Sequence, residues 1–206
     1  MYAENQVILD CEGKDRHFLM EESNDTYPSN STSGLHGRTV FSGIIFRNGA
    51  TKANGGSIYI AEVKKSISLF CCSLIFSDIL HISFKNCSFE GNRASNGGAV
   101  YPEPSIPKTV ITFEYCHFFN NSAENRGKFR GQFNFPGGAV VAMSDNVILS
   151  STFLQNSATK GGAAWIEGGS VENTTFSNNS AKYGGAVYHR GLQTAAKNLG
   201  KYQRNI

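Results

Sequence analysis

The chain has 206 residues, enough for one domain or for an elongated stack of repeats whose core grows with each added unit. Lys and Arg number 19 against 16 acids, yet Arg190, Lys197, Lys201 and Arg204 fall in the last 17 residues, so the body before them is close to neutral. A near-neutral body excludes nucleic acid as a partner, because neutralising phosphates needs a basic face.

Residues 1–38 read as an N-terminal cap and first coil. Met1 to Asp10 carries Glu4 and no long apolar run, so it lacks the basic start and hydrophobic stretch of a secretory signal. The strand-like Val7-Ile8-Leu9 precedes Cys11-Glu12-Gly13, and the polar run through Ser33 reads as a long excursion from that coil. Asp10, Glu12, Asp15, Arg16 and His17 form the one charged knot of the chain.

From about residue 39 to 190 one pattern returns, marked by Gly-Gly pairs at 55/56, 97/98, 137/138, 161/162 and 184/185. Its first copy is loose: Phe46 reaches its glycines in nine residues, and Asn48 falls one place early. The 43 residues from Phe46 to Phe89 read as about two coils, the second degenerate and holding Cys71, Cys72, Leu74 and Phe76. Within them Ile67 to Phe76 is the most apolar run. Its ten residues are about half of the ~20 that cross a bilayer, so it reads as a buried strand.

The later copies keep strict register. Phe89, Phe118, Phe153 and Phe176 are followed at three residues by Asn92, Asn121, Asn156 and Asn179, and at five by Ala94, Ala123, Ala158 and Ala181. Each leads to a pair: Gly97 and Gly98, Gly137 and Gly138, Gly161 and Gly162, Gly184 and Gly185. Two residues before each Phe stand Cys87, Cys116, Ser151 and Thr174, which should face inward with it because positions two apart share a strand face. Val147 and Leu149 extend the same alternation upstream. After each glycine pair, runs such as Ala99-Val100-Tyr101 and Ala186-Val187-Tyr188 read as a second strand leaving a tight corner where glycine permits φ > 0.

A strand-built unit of this size cannot close its own core, so it must stack on its neighbours. Stacking at about 4.8 Å places Phe over Phe within the range of favourable aromatic pairs. It also lets a column of Asn side chains hydrogen-bond along the stack, at turns whose backbone groups would otherwise be buried and unpaired. The predicted fold is all-β, a right-handed parallel β-helix of the pectin-lyase-like kind with about six or seven coils. Leucine-rich repeats are excluded by leucines out of phase with the glycines, calcium-binding nonapeptide rolls by the lack of Asp after them, and helical repeats by the density of Gly and Phe.

Two stretches interrupt the pattern. Residues 102–108 hold three of the five prolines and should leave as a loop. Phe118 is nineteen residues from Gly137 where the other copies take eight, so 124–136 contains an insertion. Its Arg126, Lys128, Phe129, Arg130, Phe133 and Phe135 make it the candidate partner-binding loop, since interleaved Arg and Phe can stack on sugars or bases or meet an acidic partner. The plainer reading is a tolerated insertion. Residues 191–206 form a basic tail in which Leu192, Ala195, Ala196 and Leu199 follow amphipathic spacing, predicting a short capping helix.

Five cysteines, Cys11, Cys71, Cys72, Cys87 and Cys116, with no C-x-x-C pair, fit neither a complete disulfide framework nor a zinc site, and are expected as buried thiols with Cys87 stacked on Cys116. The five histidines show no ligand spacing, so no metal and no cofactor are expected. Six Asn-x-Ser/Thr sequons begin at Asn24, Asn30, Asn86, Asn120, Asn173 and Asn178; an Asn- and Ser-rich repeat makes such triplets by composition alone.

The Gly97-Gly98-Ala99-Val100, Gly137-Gly138-Ala139-Val140 and Gly184-Gly185-Ala186-Val187 segments with the four Phe-Asn pairs resemble the repeat of chlamydial polymorphic outer-membrane proteins; Gly161-Gly162-Ala163-Ala164 and Gly55-Gly56-Ser57-Ile58 depart slightly. The resemblance implies a surface-displayed adhesin or binding module at an outer membrane, cell surface or extracellular position, as part of a longer autotransporter-like protein. Its partner would be a surface protein or glycan, or another copy of itself, with membrane attachment through a separate anchor. The competing reading is a polysaccharide-active β-helix enzyme of the pectate lyase or glycoside hydrolase type. Such an enzyme needs clustered carboxylates with a nearby base, and only the knot at 10–17 offers any. Its place in the cap favours solvated residues, so a non-catalytic scaffold is expected.

Overall fold

A computed structural model describes residues 7–21, 38–52, 55–61, 80–102, 109–124, 137–143, 146–189, 195–197 and 202–203. These residues form strands in four sheets and no helix, and every strand pairing among them is parallel and in register. The architecture is a parallel β-helix.

Sheet I stacks Val7–Asp10, Ile44–Arg47, Ser88–Glu90, His117–Phe119, Thr152–Leu154, Thr175–Ser177 and Tyr202–Gln203. Sheet II stacks the short strands Arg93–Ala94, Ser122–Ala123, Ser157–Lys160 and Ser180–Tyr183. Sheet III takes the strands that follow the glycine pairs, from Phe18–Glu21 through Ile58–Ala61, Val100–Pro102, Val140–Met143 and Ala164–Glu167 to Val187–His189. Sheet IV, which precedes each interior Phe, takes Arg38–Ser42, Leu80–Lys85, Thr109–Glu114, Val147–Leu149, Ser170–Glu172 and Ala195–Lys197.

The predicted columns are present. Phe46, Phe89, Phe118, Phe153 and Phe176 are successive Cα partners, fully buried, with rings stacked at 5.0, 4.9, 4.4 and 5.1 Å. Each such pair adds roughly 0.5–1.5 kcal/mol beyond its burial. A second column, Phe41, Phe84 and Phe113, stacks on sheet IV at 5.0 and 5.2 Å and meets the first edge-on. The repeat pattern does not announce this column, although its signal is there: an apolar residue stands five places before every interior Phe, as Phe41, Phe84, Phe113, Ile148 and Val171.

The Asn column is a continuous hydrogen-bond ladder in the fully buried interior. Asn92, Asn121 and Asn156 each donate Nδ2–H to the next Asn Oδ1 at 2.9–3.0 Å, and each Nδ2 also donates to a Phe carbonyl on the preceding coil. The backbone amides of Gly49, Asn92, Asn121 and Asn156 donate to the Oδ1 of Asn92, Asn121, Asn156 and Asn179. One side chain type thus satisfies the orphaned groups of the turn on both sides. Gly49, not Asn48, is the member of this column in the second coil, and Asn48 takes the left-handed corner position just before it.

That corner position is left-handed in five successive coils: Asn48, Gly91, Asn120, Gln155 and Asn178 have φ of 53–63°. Asn and Gly are the residues that tolerate it. The glycine pairs are required twice over. The first glycine has positive φ in Gly55, Gly97, Gly161 and Gly184. The second has no room for a side chain, since a methyl on Gly98 would collide with the Gly138 carbonyl, and one on Gly138 with that of Gly162.

Several expectations need correction. Phe46 and Phe89 are direct Cα partners, so the 43 residues between them make one coil and not two; residues 62–79, including Cys71 and Cys72, lie outside the described residues. Ile148 is the buried residue of its strand while Val147 and Leu149 face outward, because Ser150 at φ 46° turns a corner and breaks the alternation leading into Phe153. Ala195–Lys197 is a strand paired with Ser170–Glu172, not a helix. A ready-made strand edge outweighs a two-leucine amphipathic pattern that has little to bury. Pro102 closes a sheet III strand, where its missing N–H is tolerated, so it does not belong to the expected loop, whose residues 103–108 lie outside the described residues.

The thiols behave as a polar column of the interior. Cys116 Sγ lies 3.3 Å from the Phe84 carbonyl and Cys87 Sγ 3.4 Å from the Lys85 carbonyl, and both residues are 2 % exposed. Burial pushes the Cys87 thiol up and the Cys116 thiol up to about 12. Iodoacetamide at about pH 8 should therefore leave both unmodified in the folded protein and modify both in urea, as read by mass spectrometry; modification of Cys116 at the rate of a free thiol would contradict this.

Replacing Asn121 by Ala strands the Phe89 carbonyl and the Asn92 amide and removes one of the two donors to Asn156 Oδ1, and should cost on the order of 3 kcal/mol or more in urea denaturation. Asn120→Gly, one residue away on the exposed corner, should stay within about 0.5 kcal/mol of the wild type.

Candidate functional site

The repeating residues are spent on the interior, so a site for anything else must be sought on the outer faces. Three of these differ in what they offer. Sheet I presents Ile45, Ser88 and Glu90, none more than 8 % exposed, with Glu90 Oε2 taking both Nε and Nη2 of Arg47 at 3.1 and 2.8 Å and Ser88 Oγ donating to Oε1. Burial holds the His117 imidazole on this sheet below its ordinary value. Sheet III carries a satellite cluster of Tyr101, Val141 and Trp165, also buried, flanked by Tyr59 under the Arg16 guanidinium and Tyr188 under the Lys160 ammonium. Its aromatic faces are already engaged.

Sheet IV is the open one. Its outer surface carries a groove of ≈ 470 Å³ lined by His81, Ser83, Lys85, Val110, Thr112 and Glu114. These side chains project outward because Ile82, Phe84, Ile111 and Phe113 alternate with them into the core. Lys85 Nζ and Glu114 Oε2 pair at 2.8 Å across adjacent strands; as a partly exposed pair this contributes about 0–1 kcal/mol and leaves the groove locally neutral. What remains is a surface more apolar than polar, with the Thr112 hydroxyl, the exposed His81 imidazole and an ion pair set beside Val110, and Ser83 buried beneath them.

In chain order residues 22–37, 62–79 and 103–108 each join a strand of sheet III to a strand of sheet IV, and they lie outside the described residues. The candidate loop departs elsewhere, between Ala123 of sheet II and Gly137. Arg126, Lys128, Phe129, Arg130, Phe133 and Phe135 lie outside the described residues, and Glu124, which is described, pairs with Arg93 at 3.6 Å.

The charged knot does not assemble into a reacting set. Asp10 accepts from the Glu12 amide at 2.8 Å and from Asn48 Nδ2, and these two bonds hold its carboxyl below the usual carboxylate value. Asp15 accepts from the Arg16 amide, Lys14 pairs with Glu12, Arg16 lies over Tyr59, and His17 turns inward. The four directions are different. Among the described residues no three His, Cys, Asp or Glu side chains come together as metal ligands. Of the repeat residues singled out from the sequence, Phe89, Phe118, Phe153 and Phe176 lie in the core, Asn92, Asn121, Asn156 and Asn179 form the buried ladder, and the glycine pairs precede the strands of sheet III.

Residues 86–101 and 173–190 match the model of the Chlamydia polymorphic membrane protein repeat. No curated protein and no solved structure matches the chain. Both matched segments begin on a left-handed Asn, Asn86 or Asn173, and run through the interior Phe, the ladder Asn and the glycine pair into a strand of sheet III. The coil at Phe118 is divided by its insertion, and the one at Phe153 has Ala164 where the pattern places Val or Ile. The chain therefore carries, at two places in its coil stack, the repeat of the polymorphic membrane protein family, a repeat module of surface proteins.

Proposed function

We propose that this β-helix is a non-catalytic binding module displayed at the cell surface, that its contact surface is the groove on sheet IV, and that its partner there is a neutral glycan. The observation that carries the reading is the groove itself: the Thr112 hydroxyl, the His81 imidazole and a self-neutralised Lys85–Glu114 pair on a rigid strand ladder. Such a surface offers hydrogen-bond donors and acceptors at fixed spacing and no net charge, which suits polyhydroxylated chains better than anionic ones. The family match supports surface display. Attachment to a membrane through a separate anchor is part of the same reading, and among the described residues no helix is long and apolar enough to cross one. The dispersed carboxylates of residues 10–15 support a non-catalytic role.

The test is an immobilised-protein binding assay against neutral and anionic oligosaccharides, with Thr112→Arg filling the groove. Thr112→Arg should lower affinity for the neutral set about tenfold or more with little change in unfolding temperature, and deletion of residues 124–134 should not. Binding confined to anionic glycans or to proteins, or binding indifferent to Thr112→Arg, would remove the reading. Cleavage of polygalacturonate that is lost on changing Asp10 and Asp15 would replace it with an enzyme.

A further inference from the structure

The residue after each glycine pair forms a column of Ala186, Ala163, Ala139 and Ala99, each no more than 4 % exposed. The column does not continue as alanine. Its next member is Ser57, and below it, in the coil of residues 7–21, stands His17, as the register of Phe18 on Ile58 requires. A ring thus occupies the place where the repeat puts a methyl. It packs edge-on against Phe46 at 5.6 Å, at the N-terminal end of the Phe column.

Both ring nitrogens have partners. Nε2 lies 2.6 Å from the Leu9 carbonyl, which can only accept, so Nε2 carries the proton and donates. Nδ1, 3.1 Å from Ser57 Oγ, then accepts the serine proton. Ser57 is fully buried and its hydroxyl is committed to this bond. The arrangement is that of a neutral imidazole. A proton on Nδ1 would face the serine oxygen and force the Ser57 hydroxyl hydrogen back into an apolar interior.

We propose that His17 is an acid-sensitive latch: neutral, it pins the coil of residues 7–21 to the coil above it, and protonated it lets that coil go. The charged groups around the ring do not reverse this. Asp10, on its own coil, and the carbonyls of Leu9 and Arg47 favour the charged ring, but burial opposes it more strongly and holds His17 below its ordinary value. The Arg47 guanidinium is engaged by Glu90, Arg16 lies over Tyr59, and Asp15 is turned to the Arg16 amide. Because the folded value is the depressed one, the latch contributes stability above the unfolded imidazole value of about 6.5 and loses it as pH falls below that. The latch also gives a role to two irregularities of the sequence, Ser57 in place of alanine and the histidine of the charged knot.

Hydrogen exchange of the full chain tests this. The amides of Cys11, Gly13 and Phe18 donate to the carbonyls of Arg47, Asn48 and Ser57 and so report on the attachment of the coil. Corrected for intrinsic rates, they should exchange about tenfold faster or more near pH 5 than near pH 7.5, while those of Thr152 and Ser157 in the body of the stack do not change. In His17→Gln, which keeps a donor and an acceptor but does not titrate, the rise should vanish. An equal rise in His17→Gln, or none in the wild type, overturns the proposal. Should His17→Gln leave the coil open at both pH values, the imidazole titration of the wild type followed by NMR decides: a midpoint below about 6.5 that coincides with the rise in exchange supports the latch, and a midpoint at or above it overturns it.

Discussion

The constraint on which this structure depends is that a coil turning through four corners buries backbone groups that no strand partner can reach. Regular sheet ladders satisfy the strands, but at the corner after each interior Phe the chain needs an acceptor for an amide and a donor for a carbonyl in the same dry place. Asn supplies both from one short side chain, and it does so for its neighbours above and below as well as for itself. The in-register stacking of phenylalanines then follows, because the Asn column fixes the vertical alignment that places like on like. Aromatic stacking strengthens a register that hydrogen bonding has already set.

This division explains why coils of 43, 29, 35 and 23 residues can stand on one another. Register is carried by the Phe–Asn segment and by the glycine pair, where coils approach so closely that a methyl cannot be admitted. Corners without such a requirement are free to vary in length. The connection from sheet III to sheet IV is two glycines, Gly168 and Gly169, in one coil and 18 residues in another, with the strands on either side unshifted.

The interior is legible in the amino-acid sequence because identical contacts repeat. Phe89, Asn92 and Gly98 declare themselves as columns through spacing alone, since a fixed period requires that equivalent residues meet. Where the period is lost, legibility goes with it. The 43-residue coil resembles two in sequence, yet chain length between fixed points does not say how much of it stays in the stack. The Phe41–Phe84–Phe113 column is hidden because its later members are Ile148 and Val171, so that position repeats in hydrophobicity and not in identity. The tail at 195–197 misleads through local periodicity, which carries no information about the strand edge waiting at Ser170–Glu172. The groove is not legible at all: His81, Ser83, Val110 and Thr112 are adjacent only across strands, and nothing in their spacing along the chain marks them.

A solenoid whose repeats are fully occupied with holding one another leaves its function to whatever does not repeat. The ladder Asn and the interior Phe are buried, and the second glycine has no room for a methyl at Gly98, Gly138 and Gly162, so these positions are bound to stability. Outward positions such as Thr112 lie beside core residues on the same strands, so their geometry is set by buried neighbours. Irregularity within a column carries the same meaning at the end of the stack, where Ser57 and His17 replace alanine. A column that elsewhere only packs acquires there a group that titrates, and a structural position becomes one that can respond to its surroundings.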